Sequence, residues 1–177
     1  MAKKVILYIA MSLDGFIARE NGSVDWLDKF MSSGEDYGYK KFYDPITTVL
    51  MGSSTYKQVL GFGEFPYKGK NCFVFSKKIK KAKYVKFVNG DVKKFIENLD
   101  VKKNQRIWLV GGANLVNQFL KYDLIDEYML FTMPILLGKG IKLFNENNKE
   151  LPLTVKKTKS FKSGVIETHY ERARGEK

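Results

Sequence analysis

Paired glycines between an apolar run and a helical pattern are the feature of this sequence best suited to chemistry. They lie in Val110-Gly111-Gly112-Ala113-Asn114-Leu115. Without side chains the backbone approaches a pyrophosphate closely, and the amides and dipole of a helix start stabilise its charge. The same pair also serves a tight strand-to-helix turn, and no G-x-G-x-x-G fingerprint occurs at a strand-helix junction. A second segment, Met51-Gly52-Ser53-Ser54-Thr55-Tyr56, has the same setting and adds three hydroxyls. One hydroxyl is enough for an N-cap, whereas three beside a glycine suit an anion. Ser76-Lys77-Lys78 closes another apolar run and supplies donors and positive charge. If these strand ends are neighbours, they can share one phosphate; capping with solvated lysines is the plainer reading.

The third segment runs from Ala10 through Asp14-Gly15 to Ala18, with Asn21-Gly22-Ser23-Val24-Asp25-Trp26-Leu27 close behind. A long apolar-bearing loop at a strand end suits a lid. Asp14-Gly15 also reads as a turn, and Asp25-Trp26 as a helix start with a core aromatic. Outside these segments the ionisable candidates are few. His169 is the single histidine, on an alternating strand, and reads as structural; Cys72, the single cysteine, sits in an apolar run and reads as a buried thiol. With one of each, no zinc site is expected, and no metal is assigned.

These segments need a scaffold, and the hydrophobic periodicity supplies one. Val5 to Met11 and Thr47 to Met51 are near-continuous apolar runs, as in strands covered on both faces. Cys72 to Phe75, Tyr84 to Val88 and Arg106 to Val110 are further strands. Helices follow at Ser54 to Leu60, from Asp91 with Val92, Phe95, Ile96 and Leu99 on one side, and at Leu115, Val116, Phe119 and Leu120. Asp126 to Pro134, Leu153 to Ser160 and Gly164 to Tyr170 read as strands without intervening helices, an antiparallel finish. The expected fold class is α/β: a mixed, mainly parallel sheet with helices on both faces, its ligand crevice at the carboxyl ends of the parallel strands. The 177 residues, with no repeat or long linker, are expected to form one domain over 1–177.

Composition narrows the function classes. The chain is 44% hydrophobic and 14% aromatic, unlike a disordered chain. No apolar stretch is long enough to span a bilayer and no signal-peptide pattern opens the sequence, so a cytoplasmic location without membrane association is expected. The net charge of +12 favours an anionic partner without selecting one. Lysines spread over Lys77 to Lys86, Lys93-Lys94, Lys102-Lys103 and Lys156 to Lys162 read as solvated faces. The aromatics sit in apolar patterns and do not interleave with basic residues, so no specific nucleic-acid binding is expected.

Together the segments resemble the dihydrofolate reductase-like superfamily, and within it the C-terminal reductase domain of riboflavin-biosynthesis enzymes and its stand-alone bacterial relatives. The likeness rests on Met11 to Ala18, Asp25-Trp26-Leu27, Met51 to Tyr56, Val110 to Ala113 and Pro134 to Phe144. It implies a three-layer dihydrofolate reductase-like fold and NADPH across the strand ends. The pyrophosphate would lie at Val110, Gly111, Gly112, Ala113, Asn114 and Leu115. Gly52, Ser53, Ser54, Thr55, Ser76 and Lys77 would surround the adenosine and its 2′-phosphate. Ala10 and Ile17 would flank the nicotinamide, and Asp14 and Trp26 the substrate. It also suggests a homodimer built on the antiparallel strands. Dihydrofolate reductases proper place a pteridine-binding carboxylate on the helix beyond the lid tryptophan. The matching position in Trp26-Leu27-Asp28-Lys29-Phe30-Met31 lacks it.

The implied activity is hydride transfer from NADPH to a small heterocyclic or ribosylaminopyrimidine-type substrate. The named candidate is 5-amino-6-(5-phosphoribosylamino)uracil. Asp25 is the first candidate for a protein acid, with an ordered water as the alternative. A reductase of another substrate, a non-catalytic nucleotide binder and a nucleic-acid binder are the competing readings.

Overall fold

The structure is a computed structural model, which describes residues 3–100, 105–146 and 149–173. In chain order its strands and helices are β1 (Lys4–Ser12), β2 (Phe16–Ala18), a 3-10 turn (Asp25–Leu27), α1 (Asp28–Met31), α2 (Tyr39–Tyr43), β3 (Ile46–Gly52), α3 (Ser53–Gly61), β4 (Asn71–Phe75), β5 (Val85–Val88) and α4 (Val92–Asn98). Then come β6 (Arg106–Gly111), α5 (Ala113–Lys121), β7 (Glu127–Met133), β8 (Ile141–Lys142), β9 (Leu153–Ser160) and β10 (Ile166–Arg172). Alternation along β1 separates the layers, since successive strand residues point to opposite faces. Val5 and Leu7 pack with Val92 and Ile96 of α4 and Leu115, Val116 and Phe119 of α5. Ile6 packs on the other face with Phe42 of α2, Val59 of α3 and Trp108.

Eight strands form the central sheet in the order β5-β4-β3-β6-β1-β7-β10-β9. From β5 to β7 every pairing is parallel; β10 runs antiparallel to both β7 and β9. One expectation needs correction. The segment from Asp126 to Pro134 is not part of the antiparallel finish, because β7 pairs parallel with β1 from Ile6 and Glu127 to Ser12 and Met133. The crossover helix α5 carries the chain back to the starting edge of the sheet, so the next strand repeats the direction of β6. A second unforeseen element is the two-stranded sheet of β2 and β8.

The lone histidine and cysteine take structural positions. Cys72 is buried, its thiol pushed up to about 11 by that burial, and Sγ donates to Tyr67 O at 3.5 Å and Lys70 O at 3.6 Å. His169 stands with its Nε2 3.3 Å from Oε2 of the buried Glu127. Glu127 also pairs with Lys4, and lies 3.8 Å from Arg106 Nη2. Lys4 and Arg106, from adjacent strands, thus direct cations at one buried carboxylate. Lys4 and Arg106 are themselves more than a third exposed, so the cluster falls between a dry ion pair and a surface one. Glu127→Ala is expected to cost about 2 kcal/mol. For a chain this size that lowers Tm by roughly 4–8 °C, readable by calorimetry.

The lysines of the 77–86 segment are exposed, as are Lys93 and Lys94, while Lys156 and Lys157 pair with Glu171 and Glu167 at 3.2 and 3.6 Å. Lys102-Lys103 lie outside the described residues. Among the described residues no helix is long and apolar enough to cross a membrane.

Candidate active site

The three phosphate-suited segments meet because β4, β3 and β6 are adjacent strands with their carboxyl ends at one edge. Gly52 is in register with Phe75, and Met51 with Gly111. A methyl group on Gly52 would sit 3.8 Å from Gly111 O and Gly112 N; one on Gly112 would sit 3.4 Å from Thr55 Oγ1. The starts of α3 and α5 therefore face each other across bare backbone. Gly111 has φ +115°, a conformation L side chains rarely adopt, which is why glycine is required at the turn.

Among the described residues no side chain caps α3 or α5, and neither helix has an acidic residue in its first turn. The hydroxyls of Ser53, Ser54 and Thr55 thus leave capping aside, contrary to the plainer reading of the sequence. In contrast, α4 is capped in the ordinary way. The Asp91 carboxylate accepts from Lys93 N at 2.9 Å and Lys94 N at 3.0 Å. Two uncapped helix starts side by side concentrate positive potential at the strand ends. On the far side of β3, Ser76 Oγ accepts from Lys78 N at 3.1 Å, and Lys77 and Lys78 are exposed, with no salt bridge among the described residues.

The pairing of the two inner strands ends beside this cationic edge. β1 pairs with β6 only as far as Leu7 and Leu109, while its pairing with β7 continues to Ser12 and Met133. The two inner strands part beyond Leu7. The helix after β6, α5, packs on one face of the sheet, and α2, on the way from β1 to β3, packs on the other. This is a topological switch point, where open α/β sheets bind ligands. Ala10 is half-buried on β1, in register with Phe131. Ile17, on β2, is half-buried against the α5-side core.

The three substrate-side candidates occupy well-defined places. Both Asp14 oxygens accept hydrogen bonds from within the protein: Oδ1 from Ser12 Oγ at 2.6 Å and Leu137 N at 3.1 Å, Oδ2 from Gly138 N at 2.7 Å. Asp25 accepts from Arg19 Nε at 2.7 Å, Arg19 Nη2 at 3.0 Å and Ser23 Oγ at 2.7 Å. The Arg19 guanidinium, then the Ser23 hydroxyl, hold its carboxyl down at about 2. Trp26 is buried with Phe30, Phe131, Met133 and Val165, and its Nε1 donates to no acceptor among the described residues. Met31, at the position of the absent folate carboxylate, is exposed.

Several partners escaped the sequence reading. Ser12 is fully buried, and its hydroxyl both donates to Asp14 and accepts from Phe16 N at 2.9 Å. Its only trace in the sequence is a Ser-x-Asp spacing, common in turns. Arg19 clamps Asp25 from six residues away, and Leu137 and Gly138 reach Asp14 from a distant loop; neither leaves a local pattern.

Residues 67–166 match the family described as the RibD C-terminal domain. The chain belongs to that family. Among its relatives is the uncharacterized protein YwjB of Bacillus subtilis (strain 168), 46% identical over 176 residues, covering 98% of this chain and 100% of YwjB. YyaP of the same organism is 30% identical over 181 residues, covering 95% of this chain and 94% of YyaP. Among solved structures, a protein of Shewanella sp. PV-4 provisionally assigned to riboflavin biosynthesis superposes with a TM-score of 0.86. It is 32% identical, over 97% of this chain and 99% of that one. A deaminase and 5-amino-6-(5-phosphoribosylamino)uracil reductase of Thermotoga maritima has a TM-score of 0.71 at 17% identity, a likeness of fold. It covers 97% of this chain, which spans 57% of the bifunctional protein. The sheet has the dihydrofolate reductase-like fold of the RibD C-terminal domain family.

Proposed function

We propose that the protein is an NADPH-dependent reductase of a small heterocyclic or ribosylaminopyrimidine-type substrate. The observation carrying this reading is the parting of β1 from β6 directly beside two uncapped helix starts. An elongated ligand with anionic groups at one end and a flat ring at the other fits such a site. The amides around Gly111, Gly112, Ala113 and Asn114 would hold the pyrophosphate, flanked by Val110 and Leu115. Ser53, Ser54, Thr55, Ser76 and Lys77, with Gly52 giving room, would hold the 2′-phosphate end. The nicotinamide would lie in the opening next to Ala10 and Ile17. When bound, the cofactor supplies a hydride; the protein's contribution is position and exclusion of water. The two tryptophans are buried, so neither serves as a stacking platform for the alternative of nucleic-acid binding.

The proton that completes the reduction comes, in this reading, from water. Asp25 is committed to Arg19 and Ser23 and ionised far below neutral pH. Asp25→Asn is therefore expected to lower turnover by less than about tenfold, whereas loss of a general acid typically costs about 10²–10⁴-fold. The substrate is tested by following NADPH oxidation with 5-amino-6-(5-phosphoribosylamino)uracil. Oxidation in proportion to product supports the riboflavin reading. A protein that binds NADPH yet leaves this substrate unchanged excludes that reading and directs the search to other heterocycles.

We further propose that two copies associate through the antiparallel strands. β9 is exposed along its whole length, and Leu153, Val155 and Ile166 are exposed on one face of the β9–β10 extension. A dimer mass by light scattering is expected; a monomer contradicts it.

A further inference from the structure

The loops that follow β1 and β7 are joined at one carboxylate. The chain between β1 and β2 runs alongside the chain between β7 and β8. Leu13 N donates to Ile135 O at 2.9 Å, and Leu143 N to Gly15 O at 2.9 Å. Phe16 and Ala18 pair with Lys142 and Ile141. Between these backbone ties, Asp14 receives three donors on two oxygens. Gly138, at φ +73°, is in the left-handed region that favours glycine, and its amide meets Oδ2 at 2.7 Å. Hydrogen bonds to an ionised acceptor are roughly twice as strong as neutral ones.

We propose that Asp14 is a positioning residue, a latch that makes these two loops one body and thereby fixes Ile17 against the nicotinamide position. The proposal rests on the NADPH reading and adds to it a positioning role for a residue whose two oxygens are both engaged within the protein. The carboxylate is suited to the task because every polar contact it receives is a donor. An asparagine offers one acceptor and one donor, so one of the Leu137 and Gly138 amides faces an N–H. Ser12 and then the Leu137 and Gly138 amides hold the Asp14 carboxyl at about 2, and the latch stays charged at every pH of physiological interest.

The test uses Asp14→Asn and, should that variant fold poorly, Ser12→Ala, which removes one donor to Asp14 together with the acceptor of Phe16 N and leaves the charge. In the free protein, hydrogen exchange at Leu137 and Gly138 is expected to accelerate by about tenfold or more, as local opening becomes easier. Binding is then compared for NADPH and for 2′,5′-ADP, which carries the phosphate end without the nicotinamide. The latch predicts an NADPH affinity about tenfold weaker and a 2′,5′-ADP affinity within about twofold. Unchanged exchange, or equal loss of both ligands, overturns the proposal. Failure of the unmodified protein to bind either ligand instead overturns the cofactor reading, and the exchange measurement still decides the latch.

Discussion

Gly112→Val is expected to abolish useful NADPH binding while leaving the fold intact. Gly112 has φ −73° and ψ −166°, an extended conformation that valine adopts readily. Its Cβ would stand 3.4 Å from Thr55 Oγ1, tight against the end of a side chain that can shift, so the stability cost should be only about 1–2 kcal/mol. The two added methyls would occupy the space between the starts of α3 and α5. In the proposed function this space belongs to the pyrophosphate, and the uncapped amides of α5 would no longer reach it. An affinity loss of about 100-fold or more is expected, equivalent to about 2.7 kcal/mol. Titration of the folded variant with NADPH checks this. Wild-type affinity would show that the glycines serve only the turn.

Gly140→Ala is expected to be the most damaging single methyl in the molecule. At φ +152° the backbone is one that L residues rarely adopt, and the new Cβ would lie 2.2 Å from Ala18 O and 3.4 Å from Phe16 Cδ1. The colliding oxygen is backbone, fixed by the β2–β8 pairing, so no side-chain rotation relieves it. Strain and lost pairing together should cost on the order of 3–4 kcal/mol. For a chain of this length Tm would fall by roughly 6–16 °C. Gly138→Ala is the matched control two residues away. At φ +73°, with nothing within 4 Å of its Cβ, it should cost only about 1–2 kcal/mol. Equal losses in the two variants would mean that β2 and β8 are not held together as described.

How much of this was legible in the sequence follows from the range of the forces involved. Period-two and helical hydrophobic patterns are local, and they placed β1, β3, β4, β6, α4 and α5 within a residue or two of their bounds. The direction of β7 was not local. It depended on α5 acting as a crossover, which the run from Asp126 to Pro134 does not record. The same division holds at the site. Gly52, Ser53 to Thr55, Ser76, Lys77 and Gly111-Gly112 stood out by type and spacing, and strand adjacency brings them to one edge. The partners of Asp14 and Asp25 were illegible because each pairing is set by how two loops meet. Asp14 reads as a turn residue or substrate neighbour and Asp25 as a helix start or protein acid; the donors around them tie the first to Leu137 and Gly138 and the second to Arg19.

Acid should affect these two carboxylates together. Both have folded values near 2, below the ordinary 3.8. Their contribution to stability is therefore complete above the ordinary value and is lost as pH falls through it toward 2.

The central claim is tested most directly by equilibrium titration of the purified protein with NADPH and with NADH, followed by energy transfer from tryptophan to nicotinamide. Saturable NADPH binding with Kd below about 1 mM is predicted, with NADH weaker by about tenfold or more for want of the 2′-phosphate contacts at Ser53, Ser54, Thr55, Ser76 and Lys77. Absence of NADPH binding in that range would contradict the account.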